Sequence, residues 1–225
     1  MGLRKALIVW GGWNGHEPEQ VSGIFRRELS ARGFDVAVSN TLDAFREHPN
    51  LNSLDLIVPV WTMGEITGDQ LNPLLAAVKA GVGIGGCHGG MCDSFRNQTE
   101  YQLMTGGQWV AHPGNDGTEY VVRITDPKHF ITAGSPIQFK VKSEQYYLHT
   151  DPSNKVLATT SFPVADGPHV PNGAFEMPVI WTRYYGEGRV AYNSLGHVAA
   201  IVEQADVLRL MVRGLLWAAG AEDAV

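Results

Sequence analysis

The amino-acid sequence predicts an α/β fold: a doubly wound, mostly parallel sheet with an added β-hairpin region. Three observations predict it. Continuous apolar runs such as residues 5–10 (KALIVW) have the composition of strands buried on both faces. These runs alternate with amphipathic helical patterns at connection lengths ordinary for βαβ units. Residues 81–90 (GVGIGGCHGG) set a Cys and a His in a glycine-rich strand-to-helix break, a place where α/β proteins hold reactive side chains.

The elements follow in order. Residues 5–10 form the first strand, ended by Gly11 and Gly12. After the loop at 13–18, a helix runs to about Arg32, with Val21, Ile24, Phe25 and Leu29 as its apolar stripe and Gly33 as its C-cap. Residues 34–39 are the second strand. Residues 55–60 are the third, and Pro59, which has no N–H to donate, predicts an early end or a place near an edge. Thr67 caps a helix that Gly81 closes. Residues 82–86 are the fourth strand, and residues 91–95 start another helix. Residues 118–125, 138–142 and 155–160 read as short strands. Residues 161–178 hold four Pro and two Gly and read as a surface loop. Residues 178–183 and 189–194 flank a Gly-rich turn as a hairpin, and residues 203–219 make a closing amphipathic helix. No linker or repeat interrupts this order, so residues 1–225 are expected to form a single domain.

Composition excludes several classes. Charged residues are 18% of the chain and the net charge is −6, which argues against a nucleic-acid or anionic-membrane partner. No apolar run approaches the roughly 18 residues of a membrane span. The N-terminal residues lead directly into a strand, so no signal peptide is expected. Cys87 and Cys92 stand too close to close a useful loop, so reduced thiols and a cytoplasmic location are expected.

In open α/β sheets, ligands bind beyond the carboxyl ends of the strands. His16 and Glu17 follow the first strand, Trp61 and Thr62 the third, Cys87 and His88 the fourth, and His197 the last. The polar run Ser143-Glu144-Gln145-Tyr146 also follows a strand and is expected on the same rim. The pattern small-x-nucleophile-x-small fits with His88 at the elbow tip; a shift of one residue would put Cys87 there. His88 in such a place suits a general acid or base, or a metal ligand. Cys87 at the tip would be a thiolate nucleophile, and behind His88 it would be a small buried residue. Glu144 suits a carboxylate that orients a His, and a solvated charge is an equal alternative. His112 is a loop His with a weaker case; His48, His129, His149 and His169 are expected at the surface. Trp13, Trp61 and Trp109 offer flat apolar faces of the kind sugars stack on, or core. Three His with a carboxylate would suit a divalent metal such as zinc, with His16, His88 and His197 as ligands, but no His pair has a metal-ligand spacing, so no metal is assigned. The glycines match no dinucleotide or phosphate-binding fingerprint.

Taken together and in order, short blocks resemble ThuA-like proteins, the trehalose-utilisation family, whose fold is the flavodoxin-like one of class I glutamine amidotransferases. The blocks are Trp10-Gly-Gly12 with His16-Glu17, Gly85-Gly-Cys-His88-Gly89-Gly90, Gly106-Gly-Gln-Trp109 with His112-Pro113, and Ser143-Glu144-Gln145-Tyr146. Met177-Pro-Val-Ile-Trp181, Tyr185-Gly-Glu-Gly188-Arg189 and Leu195-Gly-His197 complete the set. The resemblance implies that His88 holds the amidotransferase nucleophile position, so glutaminase chemistry is not expected. It implies a polar cluster of His16, His88, Glu144 and His197, with Gln145, Tyr146 and His112 nearby. It also implies sugar catabolism, with a pathway link to NAD-dependent sugar oxidoreductases that make keto-sugars. The expected function is therefore acid/base catalysis by His88, Glu144 and His197 on a sugar or keto-glycoside. Substrate contacts are expected from His16, Glu17, Trp61, Gly89, Trp109, His112, Gln145 and Tyr146. The alternatives are a Cys87-dependent amidotransferase-like hydrolase and a non-catalytic sugar-binding module. A homo-oligomer is left open.

Overall fold

Ala6 and Ile8 of the first strand face one side of the sheet, Leu7 and Val9 the other, and all four are buried. Such a strand needs helices on both faces, and the computed structural model, which describes residues 3–225, supplies them. The chain runs β1 (Arg4–Gly12), α1 (Pro18–Ser30), β2 (Phe34–Ser39), α2 (Ala44–Glu47), β3 (Leu56–Thr62), α3 (Gly68–Lys79) and β4 (Gly83–Cys87). It continues through α4 (Gly89–Cys92), α5 (Thr99–Thr105), β5 (Gly107–Ala111), β6 (Thr118–Ile124), β7 (Gln138–Ser143), β8 (Tyr147–Thr150) and β9 (Lys155–Phe162). It ends with β10 (Phe175–Tyr185), β11 (Gly188–Asn193), α6 (Ala199–Val202) and α7 (Ala205–Ala218).

The main sheet has the order β2-β1-β3-β4-β11-β10-β9-β6-β7. The first five strands pair in parallel, in the flavodoxin-like order. From β11 onward the pairing is antiparallel. The expected hairpin is thus β10–β11, and it begins a four-strand extension; β5 and β8 form a separate small ladder. Helices α1 and α7 cover one face, where Val21, Ile24, Phe25 and Leu29 are buried with Val207, Leu210 and Leu215. α3 covers the other with Leu71, Leu74 and Val78, and Thr67 caps it as expected, within a capping box in which Thr67 N–H donates to Gln70 Oε1 at 3.0 Å.

Several expectations need correction. β1 continues through Gly11 and Gly12, pairing Gly12 with Thr62. β3 is a central strand and runs to Thr62 despite Pro59. The proline acts on one side only: the β3–β4 ladder stops after Ile57–Ile84, whereas the β1–β3 ladder continues. Into the resulting gap packs α4, which starts at Gly89, ahead of the expected Met91; a Cβ on Gly90 would stand 3.1 Å from Val60 Cα. Residues 161–178 are not all surface loop. β9 reaches Phe162 and β10 starts at Phe175, because these rings stack at 5.4 Å and share an aromatic cluster with Tyr147. His169 is buried against Phe162 and Tyr147, not exposed.

Candidate functional site

The elbow after β4 settles which residue holds the tip. His88 has φ 48° and ψ −139°, a strained conformation for a residue with a Cβ, and it caps α4. The strain is held from β11 and beyond: His88 N–H donates to Asn193 O at 2.8 Å, and Tyr192 Oη donates to His88 O at 3.1 Å. Cys87, one residue back, points into the fold beneath Gly196, and burial pushes its thiol up to about 12. Cys92 is likewise buried.

Glu144 is the centre of the cluster. It leaves β7, at the far edge of the sheet, on a crossing segment that is pinned twice. Tyr120 Oη donates to Glu144 O at 3.0 Å, and Gln145 Nε2 donates to Thr160 Oγ1 and Ser161 O at 2.8 and 3.0 Å. Tyr146 then stacks on the His88 ring at 3.8 Å. Around the Glu144 carboxylate stand the Nε2 atoms of His88 at 3.1 Å, His197 at 3.7 Å, His112 at 3.8 Å and His16 at 3.9 Å. His16, His88, Glu144 and His197 are all buried. The structure therefore brings together residues that follow β1, β4, β7 and β11 and lie far apart in sequence.

Partners on the other ring nitrogens assign the protons. His88 Nδ1 lies 2.8 Å from Ser194 O, which can only accept, so Nδ1 donates. His197 Nδ1 lies 3.3 Å from Asp116 Oδ1 and donates likewise, and His16 Nδ1 pairs with Thr62 Oγ1 at 2.8 Å. Burial, the largest influence, pushes the His88 imidazolium down, and the bond to Glu144 pulls it back up. The geometry decides between them: a bare Nε2 lone pair 3.1 Å from a carboxylate oxygen would be repulsive, so the His88–Glu144 pair holds one proton. For Glu144, burial alone would raise the carboxyl. The contacts of His16 and His88 and the charge of His88 outweigh it and hold the group well below the usual carboxylate range.

One ligand atom each from His16, Glu144 and His197 lies within 4.8 Å of the others, a spacing suited to a metal ion. His88, counted from sequence among the metal candidates, sits outside that set and is bonded to the carboxylate.

Other expected contacts fall differently. Glu17 does not face the cluster; its Oε2 accepts from Ala199 N–H at 3.0 Å and caps α6. Gln145 is buried under the crossing segment. Trp61 is wedged between Gly11 and Gly64, where added Cβ atoms would come within 2.5 and 2.7 Å of its ring. Trp109 carries the Arg96 guanidinium over its ring at 4.5 Å. Trp13, in contrast, is 47% exposed with its ring 4.8 Å from His16. Gly89 makes room: a Cβ there would lie 2.6 Å from His16 Cε1.

Thr62, placed from sequence at the end of the third strand but given no role, holds His16 Nδ1; the sequence reading missed Asp116 and the buried Asp93, which Arg96 grips at 2.6 and 2.9 Å. Thr62 closes the strand that carries Trp61, and Asp116 lies in the loop that carries His112; proximity to those candidates was the available signal.

Comparison with known proteins agrees with this architecture. A ThuA-like protein of Bacteroides uniformis superposes with a TM-score of 0.78 at 17% identity, over 96% of this chain and 91% of that one. A ThuA-like protein of Parabacteroides merdae gives 0.73 at 19% identity, over 97% and 90%. A β-galactosidase of Rahnella sp. R3 gives 0.62 at 17% identity; 99% of this chain matches 31% of that enzyme, a likeness of fold. No curated protein sequence matches the chain. The family model described as trehalose utilisation matches residues 5–218, and the chain belongs to this ThuA family.

Proposed function

We propose that the protein acts on a sugar or keto-glycoside in trehalose-type disaccharide catabolism, by acid/base chemistry centred on Glu144 and its histidines. One observation carries the reading: four imidazole Nε2 atoms converge on a single buried carboxylate, at 3.1 to 3.9 Å. Structural ion pairs rarely take this form, and buried clusters of titratable groups with perturbed protonation mark sites of proton transfer.

The roles follow from the proton assignments. His197 Nε2, unprotonated when Nδ1 is held by Asp116, takes the proton from a carbon next to a ketone. The electron pair of the broken C–H bond forms a C=C bond. The ketone oxygen takes up the proton held by the His88–Glu144 pair, giving an enediol. Isomerisation follows when His197 returns its proton to the former carbonyl carbon while the neighbouring hydroxyl gives its proton to the His88–Glu144 pair and becomes the new ketone. Where a glycosidic oxygen sits on the next carbon, its C–O bond breaks and it leaves as an alcohol with the proton from His197, while the enol hydroxyl returns its proton to the His88–Glu144 pair as the C=O re-forms, giving an enone. Trp13 offers the exposed apolar face on which a sugar ring stacks. A ketone of this kind comes from an NAD-dependent oxidation of a sugar hydroxyl, so such an oxidoreductase is the expected pathway neighbour.

The test is exchange of the α-proton of methyl 3-keto-α-glucoside in D2O, followed by NMR. Glu144→Gln and His88→Ala should slow exchange by about 100-fold or more, with unchanged far-UV circular dichroism. Wild-type rates in both variants would end the proposal.

A second reading is supported by the His16–Glu144–His197 set. Nδ1 of each ring is tied to a partner, leaving both Nε2 atoms toward Glu144 at 3.9 and 3.7 Å. This donor chemistry fits a divalent cation such as zinc. Such an ion would polarise the ketone as a Lewis acid. Elemental analysis of the purified protein tests it, with a stoichiometric metal in the wild type that His16→Ala loses; a metal-free, fully active wild type refutes it.

A further inference from the structure

Asp116 belongs to the loop that follows β5, and its carboxylate accepts from His197 Nδ1. The geometry points to a larger part: Asp116 is a positioning residue that selects the tautomer of His197. Two carboxylates compete for this ring. Glu144 Oε1 stands 3.7 Å from Nε2 and, alone, would draw the ring proton there. That tautomer would spend the lone pair on Glu144 and leave Nε2 unable to accept a proton. Asp116 Oδ1 stands closer to Nδ1, at 3.3 Å, and its oxygen can only accept. Glu144 also shares the His88 proton at 3.1 Å, which weakens its claim on a second one. The proton therefore rests on Nδ1, and the Nε2 lone pair faces the space beside Glu144.

The loop is built to present this carboxylate. Gly114, Asn115 and Gly117 adopt φ values of 87°, 54° and 88°, which fold the segment into a tight turn. Asn115 N–H donates to His112 O at 2.9 Å and Thr118 Oγ1 donates to Asn115 O at 3.0 Å, so the backbone at Asp116 is fixed from both sides. A Cβ on Gly114 would lie 2.7 Å from Ala165 Cβ, so the turn rests on the 163–174 segment. The same loop places His112 Nε2 3.8 Å from Glu144 Oε1. An exposed Asp on a His is worth little as a stabilising ion pair, so the contact is explained better by what it does to His197, whose side chain is only 10% exposed.

The catalytic consequence rests on the proposed role of His197, whereas the tautomer does not, and the experiment separates them. Long-range 1H–15N correlation spectra of 15N-histidine-labelled protein at about pH 8 report which nitrogen of a neutral ring is protonated. The His197 signals are identified by their loss in His197→Gln. The wild type should show Nδ1–H with a bare Nε2; Asp116→Asn and Asp116→Ala should shift the ring toward Nε2–H. In the α-proton exchange assay, Asp116→Asn should lower kcat at least tenfold with KM within about twofold, and Asp116→Glu should recover much of it. An Nε2–H or doubly protonated His197 in the wild type overturns the inference. So does an Asp116→Asn protein with wild-type spectrum and turnover. If His197→Gln is itself fully active while the tautomer behaves as expected, the assignment to Asp116 stands and the role given to His197 falls.

Discussion

Gly89→Ala is a small change with a large expected effect. Gly89 is in the first turn of α4 with no left-handed φ, so the backbone accepts alanine. The new methyl would lie 2.6 Å from His16 Cε1, 2.7 Å from Nδ1 and 3.0 Å from Thr62 Cγ2, whereas ordinary contact begins near 3.4 Å. The His16 ring must retreat by about 0.8 Å to clear it. It has nowhere to go: Trp13 stands edge-on at 4.8 Å, His88 at 4.8 Å, and Thr62 Oγ1 holds Nδ1 at 2.8 Å. Overpacking of this kind costs roughly 1–3 kcal/mol, and losing the Thr62 bond about 1 more. The better helix propensity of alanine returns at most about 1 kcal/mol. A net loss of about 2 kcal/mol corresponds to a Tm about 4–8 °C lower for a chain of this length. Displacing a site group by nearly an ångström should also slow α-proton exchange by about 100-fold. The control is Gly23→Ala, in α1, where a Cβ meets nothing within 4 Å; it should be neutral or slightly stabilising. Calorimetry and the exchange assay read both variants. A Gly89→Ala protein with wild-type Tm and turnover would refute the reasoning that Gly89 exists to seat His16.

Other expectations are more local. With its thiol raised to about 12, Cys87 should resist iodoacetamide in the native protein and react only on unfolding, and Cys87→Ala should keep its turnover; rapid native labelling with loss of activity would restore the hydrolase alternative. Arg96→Leu leaves Asp93 buried without its partner, which should cost about 2 kcal/mol at neutral pH, less than a fully buried pair because the Arg96 side chain is 42% exposed. Burial, outweighing Arg96, already raises the Asp93 carboxyl, so this group's contribution to stability is present at low pH and lost as pH rises through its folded value. Without Arg96 it rises further, so the urea midpoint gap between variant and wild type should narrow toward pH 4; a constant gap would contradict this. Trp181→Phe removes the donor to Thr105 O at 3.0 Å from a fully buried site and should cost about 2–3 kcal/mol by urea unfolding, and a negligible change would contradict it.

The parallel half of the sheet was legible because its signals are local. Residues 5–10 are apolar on both faces, α1 has its stripe, and α3 its Thr67 cap, and each appears as expected. The antiparallel half was less so. Prolines at 163, 168 and 171 made residues 161–178 look like solvent loop, yet Phe162, Phe175 and Met177 at its ends belong to strands fixed by aromatic contacts from elsewhere. The same split runs through the site. His88 is announced by its glycines, and His16 and His197 by following strands. Glu144 follows a strand too, but its central place depends on a crossing segment pinned by Tyr120, Thr160 and Ser161, contacts that no local pattern announces. Asp116 is a loop carboxylate like any other until His197 is set beside it. Glu17 and Trp61, which sequence position favoured, are taken up by a helix cap and by packing.

Strand β11 is parallel to β4 on one side and antiparallel to β10 on the other, and it is the seam between the two halves of the sheet. His16 and His88 stand on one side of that seam and Glu144 comes from the other, while the strand's own end delivers Ser194 and His197. Neither half holds the whole cluster, so a chain that is still emerging or partly unfolded does not assemble it. On the proposed function, turnover is a readout of a completed sheet, and it should be regained in the same step as the β4–β11 ladder when unfolded chains are returned to native conditions.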